Sequence, residues 1–190
     1  MILSATLVVA VGLFAISELA LAVLKRAPSE SAVDDRGSKR LLHVSGLLGG
    51  GLAVTLQLLP FQIAPLPGSS IVLRLLALGL IVGGLAVRWA AVHALGRFFT
   101  MDVAVQAQQL VIETGPYRFI RHPAYAGLLL SFAGLGVYSE SWLGLAVLLV
   151  PISAAVVNRI AREEAVLLET LGTPYAAYCA RTKRLIPGLL

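Results

Sequence analysis

The sequence predicts an all-α integral membrane protein, with five transmembrane helices followed by a cytoplasmic helical segment. Three observations predict it. Of its 190 residues, 58% are hydrophobic and 13% charged, with a mean hydropathy of +0.87, whereas soluble domains run roughly 45–50% apolar and about 25% charged. The apolar residues gather into stretches that can cross a hydrocarbon core at roughly 20 residues per helix. The Lys and Arg residues fall in alternate connections between those stretches, as they do when cytoplasmic loops carry the positive excess. The length allows one multi-pass domain over residues 1–190 and leaves little chain for a soluble one.

The first stretch, Met1 to Leu24, contains one ionisable side chain, Glu18, and no basic residue ahead of its apolar core. It is expected to be a retained helix, not a cleaved signal peptide. A polar loop, residues 25–40, leads to the second stretch, Leu41 to Leu59, which stops at Pro60. An uncharged connector precedes the third, residues 71–95, which carries Arg74 and Arg88. The apolar run from Ala124 to Val157 is too long for one ~30 Å core at about 1.5 Å per residue, so it must fold back. The YSES sequence at Tyr138 to Ser141 is the expected break, giving spans 124–138 and 141–157. Residues 158–190 are polar at helical spacing and cannot span.

Basic residues fix the orientation. The loop after the first stretch has Lys25, Arg26, Arg36, Lys39 and Arg40, the segment after the third has Arg97, Arg118 and Arg121, and the tail has Arg159, Arg162, Arg181, Lys183 and Arg184. The connectors after the second and fourth stretches have none. The N-terminus is then extracytoplasmic, the C-terminus cytoplasmic, and the polar chemistry is expected at one membrane face. The net charge of +5 reports topology and contact with anionic lipid headgroups; nucleic-acid binding is not expected. The one cysteine, Cys179, excludes an internal disulfide and a cysteine-based metal site. His93 lacks a second His or Cys at ligand spacing, so no metal is expected. Within the spans, Glu18 is expected to pair with Arg88, and the small residues Gly46 to Gly51, Gly79 and Gly83 to pack helices closely.

Two segments are denser in functional side chains than packing needs. LVIETGPYRFIRHPAYAG, Leu110 to Gly127, holds Glu113, Tyr117, Arg118, Arg121, His122 and Tyr125 at the mouth of a span. Pro123 is suited to open the fourth helix, where its missing N–H costs nothing. An interfacial belt of Tyr and snorkelling Arg is the structural alternative. In the second segment, from Asn158 on, Arg159 and Glu163 lie four apart on one helix face. As a solvated pair, Arg before Glu is the less stabilising order. Asp102 is a further candidate to face this region.

GPYRFIRHPAYAG, then a hydrophobic hairpin, then R-x-x-x-E-E-x-x-L and LGTPYAAYCARTKRLIPGL resemble the isoprenylcysteine carboxyl methyltransferase family over residues 96–190. The resemblance implies an integral membrane enzyme that uses S-adenosylmethionine to methyl-esterify the carboxylate of a prenylated cysteine. It implies a cofactor pocket formed among helices and completed by the C-terminal segment. Carried over by position, it places Gln109, Leu110, Val111, Ile112, Tyr117, His122, Pro123, Ala124, Tyr125 and Glu163 at the cofactor. Arg159 becomes the ligand of the substrate carboxylate, with Glu163 beside it as the second catalytic candidate. The family often has histidine at the position of Gln109, and Gln106 is a second candidate for an upstream contact.

A carboxylate is already ionised at neutral pH, so its attack on a sulfonium methyl needs positioning and not a general base. Arg159 suits that task as a planar charged fork. Other readings are a related methyltransferase acting on a phospholipid amine or a thiol, a nicotinamide-dependent membrane reductase, and a small transporter or scaffold. Arg159 would repel a cationic amine, and a transporter would carry its polar residues along the bilayer midplane. The expected partners are a lipophilic prenylcysteine-like substrate and membrane lipids; the oligomeric state is open.

Overall fold

The computed structural model describes residues 2–25, 32–33, 37–57, 64–68, 70–105 and 108–187. Arg26, Arg36, Pro60 and Gln106 lie outside them. The helices are α1 (Ile2–Leu24), α2 (Ser38–Gln57), α3 (Ser70–Leu95), α4 (Pro123–Tyr138), α5 (Trp142–Leu171) and α6 (Thr173–Arg181). Ala32–Val33 pairs antiparallel with Ala104–Val105 over two residues. Each expected apolar stretch is helical over its described residues, Met1, Leu58 and Leu59 lying outside them. Ser70–Phe98 and Trp142–Leu171 are long and apolar enough to cross a membrane, and Val11–Leu24 and Pro123–Tyr138 are apolar but shorter.

Local sequence explains the boundaries. Pro123 occupies the first turn of α4, where it is tolerated. The hairpin after Tyr138 turns on Glu140, whose φ is +53°, and Ser141 caps α5 by accepting from the Leu143 and Gly144 N–H groups at 3.2 and 3.4 Å. Beyond this cap α5 runs unbroken for 30 residues, or about 45 Å. The apolar hairpin helix and the polar segment carrying Arg159 and Glu163 are therefore one rod, so packing near Leu148 sets where those side chains stand.

Small residues bring helices together, though not all at the expected positions. Nothing lies within 4 Å of a Cβ built on Gly79, and Gly83 meets only Leu130, at 3.8 Å. The α3/α4 seam uses Gly84, Gly127 and Gly134: a Cβ on Gly127 would stand 2.5 Å from the Gly84 carbonyl oxygen and 2.7 Å from the Arg88 nitrogen. One residue rotates the chain by about 100°, enough to move the seam from Gly83 to Gly84. Gly46 and Gly49 pack as expected, against Phe132 at 3.2 Å and the Val147 carbonyl at 3.1 Å, while Gly50 touches nothing within 4 Å.

The outer faces of these helices expose large apolar side chains, among them Ile16, Leu48, Ile71 and Val150, as lipid-facing surfaces do. Glu18 of α1 pairs with Arg88 of α3 through two hydrogen bonds of 2.5 and 2.8 Å. Polar groups are not confined to one end. At the hairpin turn the buried Glu140 accepts from Arg74 Nε at 3.0 Å and from Ser70 Oγ at 2.6 Å. A carboxylate buried by a tight turn must find such partners, and Arg74 supplies one from the start of α3.

Candidate functional site

At the opposite end from that turn, the helix ends enclose a cleft with about 1070 Å³ of open space, counting its mouth to solvent. Its walls come from the C-terminal half of α5, the first turns of α2 and α4, the end of α3, the segments 98–103 and 109–112, and α6. Gln109, Leu110, Val111 and Ile112 form one side, with Tyr117, His122, Ala124 and Tyr125 beside them and Arg159 and Glu163 across from α5. Asp102 also lines it. Pro123 does not; it is fully buried in the first turn of α4. The 109–112 segment follows Gln108, which holds φ at +59°, a conformation that non-glycine residues adopt at a cost.

Arg159, 3% exposed, is the centre of the polar network. Its Nε donates to the Tyr125 hydroxyl at 2.8 Å, Nη1 to Ser38 Oγ at 3.0 Å and Nη2 to the Met101 carbonyl at 2.6 Å. Tyr125 in turn donates to Glu163 Oε2 at 2.8 Å. A phenol therefore links Arg159 to Glu163, and the pair is part of a network that joins α2, α4, α5 and the 101 segment. Nearby, Arg88 lines the cleft, donates to the Ala124 carbonyl at 3.0 Å and touches Met101 Sδ at 3.8 Å. The Glu18–Arg88 pair thus braces the residue before Tyr125. Burial, reinforced by the negative charge of Glu163, pushes the Tyr117 phenol well above the ordinary tyrosine range, so it stays neutral.

The second glutamate of R-x-x-x-E-E has a different task. Glu164 is turned by one residue away from Glu163 and is 6% exposed. It accepts from Arg121 Nε at 2.9 Å, from Arg184 Nη2 at 2.7 Å, and contacts His122 Nε2 at 3.2 Å. Arg121 also donates to the Cys179 carbonyl at 2.9 Å and to the Thr182 carbonyl. The backbone completes the latch: Arg121 N–H donates to Lys183 at 2.7 Å and His122 N–H to Arg184 at 3.0 Å. Tyr178, its phenol pushed up to about 12 by burial, donates to the Tyr117 carbonyl at 2.6 Å. The RHP turn and the tail are one unit, which brings Tyr175 and Tyr178 of α6 into the cleft wall.

Sequence reasoning did not single out Arg88 as a wall residue, or Glu164, Ser38, Met101, His43, Tyr175 and Tyr178. The signals were slight. Tyr175 and Tyr178 are three apart on a short helix, and Glu164 is marked by its neighbour alone. No group of three or more His, Cys, Asp or Glu among the described residues is arranged to hold a metal ion.

A search of curated proteins finds no match to the chain. A family model described as phospholipid methyltransferase matches residues 72–173, from the start of α3 to the start of α6. That span holds the glycine seam, the RHP turn, Arg159 and both glutamates. The chain belongs to the phospholipid methyltransferase family, a membrane methyltransferase family related to the isoprenylcysteine carboxyl methyltransferases.

Proposed function

We propose that this five-span protein transfers a methyl group from S-adenosylmethionine to the carboxylate of a prenylcysteine-like lipophilic acid at the cytoplasmic membrane face. Methyltransferases of this family typically use that cofactor. The cleft's chemistry suits it: Glu163 and Asp102 are acids for a cationic ligand, while Tyr117, Phe99 and Ile112 offer aromatic and apolar surface for adenine. When bound, the cofactor supplies an electrophilic methyl on a positively charged sulfur.

The observation that carries the carboxylate reading is the buried guanidinium of Arg159 on the cleft wall, held in three directions by Tyr125, Ser38 and Met101. A charge fixed in advance orients an anionic oxygen without reorganising during reaction. Tyr125 keeps Glu163 at a set distance from that charge, separating the anion-binding side from the cation-binding side. A carboxylate acceptor is already ionised and would need no proton removed, so the residues of the cleft would have only to hold its oxygen in line with the cofactor's methyl and keep water out. His122 is not required as a base, in keeping with its contact to Glu164.

Methylation of a phospholipid amine is the second reading, favoured by the family's description. It would place a cationic or nascent cationic nitrogen near Arg159. The cofactor assignment is tested by titrating detergent-purified protein with S-adenosylhomocysteine and, separately, NADPH. Saturable binding of the first and none of the second is expected. NADPH binding without S-adenosylhomocysteine binding would overturn the reading in favour of a reductase.

A further inference from the structure

Resting on the methyltransferase reading, we infer that Glu18 of α1 is a positioning residue for methyl transfer, acting through Arg88 to set the direction of Arg159. The contacts run without a break from one to the other. The Glu18 carboxylate accepts from Arg88 Nε and Nη2, a bidentate pairing that fixes a planar guanidinium in direction and tilt. The other terminal nitrogen of that plane, Nη1, then donates to the Ala124 carbonyl, while Nη2 reaches Met101 Sδ. Tyr125, the next residue along, and Met101 are two of the groups to which Arg159 donates, from Nε at 2.8 Å and Nη2 at 2.6 Å.

The end of α1 adds a second hold on Met101. The Lys25 carbonyl accepts from the Met101 N–H at 2.7 Å, and Lys25 Nζ donates to the Gly96 carbonyl at 3.0 Å. Met101 is thus fixed at its nitrogen by α1 and at its sulfur by Arg88, with its carbonyl turned to Arg159. Stability alone does not account for the ion pair, because apolar residues of similar volume can often replace a buried pair without loss of stability. Helix α1 also has other holds on α3: Leu21 is fully buried in one cluster with Ala91, Val92 and Met101, and Trp89 Nε1 donates to Ser17 Oγ at 2.7 Å. What the pair adds is direction at the cleft wall, where Arg88 stands, and such supporting contacts decide whether a reacting side chain keeps its geometry. Glu18 and Lys25 lie outside the 72–173 family match, so the brace comes from a helix that the match does not include.

The double variant Glu18→Leu/Arg88→Met in lipid nanodiscs tests this, since it removes both charges and is expected to unfold at a midpoint no lower than the parent's. The nitrogen-15 signal of the Arg159 Nε–H, assigned by its loss in Arg159→Lys, is expected to be sharp in the parent and shifted or broadened in the double variant. With N-acetyl-S-farnesylcysteine or phosphatidylethanolamine, whichever the parent methylates, kcat should fall about tenfold while KM for S-adenosylmethionine stays within about threefold. Glu18→Asp, which keeps a carboxylate, should lose less than Glu18→Gln. A stable double variant with the parent's Arg159 signal, or with the parent's kcat, would overturn the inference. Should the double variant fail to fold, Glu18→Asp decides: an unmoved Arg159 signal when the carboxylate is drawn back by one carbon would overturn it equally. Absence of S-adenosylhomocysteine binding and of methyl transfer in the parent would count against the methyltransferase reading instead, and the Arg159 signal would still decide whether Glu18 positions that side chain.

Discussion

Replacing Arg159 by alanine is expected to lower methyl transfer by about 100-fold or more while leaving S-adenosylhomocysteine affinity within about threefold. The first half follows from positioning: a misplacement of about 1 Å at a reacting group can cost roughly 10² in rate, and Arg159 holds Tyr125, Ser38 and Met101 at once. The second half follows from the division of the cleft, since Glu163 keeps its own hydrogen bond from Tyr125. Arg159→Lys is expected to behave almost as badly. A lysine ammonium is a point charge without the planar fork and cannot meet three acceptors that lie in three directions. Retained S-adenosylhomocysteine binding shows that a slow variant is folded. Unchanged turnover in Arg159→Ala would remove this residue from the site.

Adjacent glutamates are expected to give opposite phenotypes. Glu163→Gln keeps an oxygen to accept from Tyr125 but removes the charge that faces the cleft, so stability should change little and S-adenosylhomocysteine affinity should fall about tenfold, the loss of one charge-assisted contact. Glu164→Gln leaves Arg121, 10% exposed, and His122 without their buried carboxylate. Breaking one side of such a buried pair costs about 3–5 kcal/mol; the bond to Arg184, which is 56% exposed, contributes little of that because solvent screens it. Thermal unfolding in detergent and limited proteolysis of the tail read this directly: a much lower midpoint and early cleavage after residue 171 are expected. A Glu164→Gln protein as stable and protease-resistant as the parent would show that the tail is held by its backbone bonds alone.

Much of the architecture was legible because a bilayer allows few solutions. Long apolar stretches had to be helices, and a run from Ala124 to Val157 had to turn, which it does after Tyr138. Glu18 and Arg88, each unaffordable alone among apolar residues, had to meet. The cleft residues from Gln109 to Tyr125 were named from a resemblance, and the fold brings all but Pro123 to one wall. What stayed hidden depends on rotation and depth. Whether Gly83 or Gly84 faces α4, whether Glu164 points into the cleft or behind it, and whether His43 borders the cleft are set by tertiary packing that the linear pattern does not carry. The Glu140–Arg74 pair at the far end was not legible because the YSES break does not say which residue of another helix its carboxylate meets.

The most direct test of the central claim is the chemical nature of the transferred methyl. The protein is incubated with S-adenosylmethionine carrying a tritiated methyl group, in vesicles containing either N-acetyl-S-farnesylcysteine or phosphatidylethanolamine. A carboxyl methyl ester releases volatile methanol on mild alkaline treatment, whereas an N-methyl group does not. Label that becomes volatile with base is expected from the farnesylcysteine vesicles. Its rate should be nearly flat from about pH 6 to 8, because a carboxylate with a pKa of about 3.5 is ionised throughout. Base-stable label in phosphatidylethanolamine, with none in farnesylcysteine, would contradict the carboxylate assignment and make the chain an amine methyltransferase.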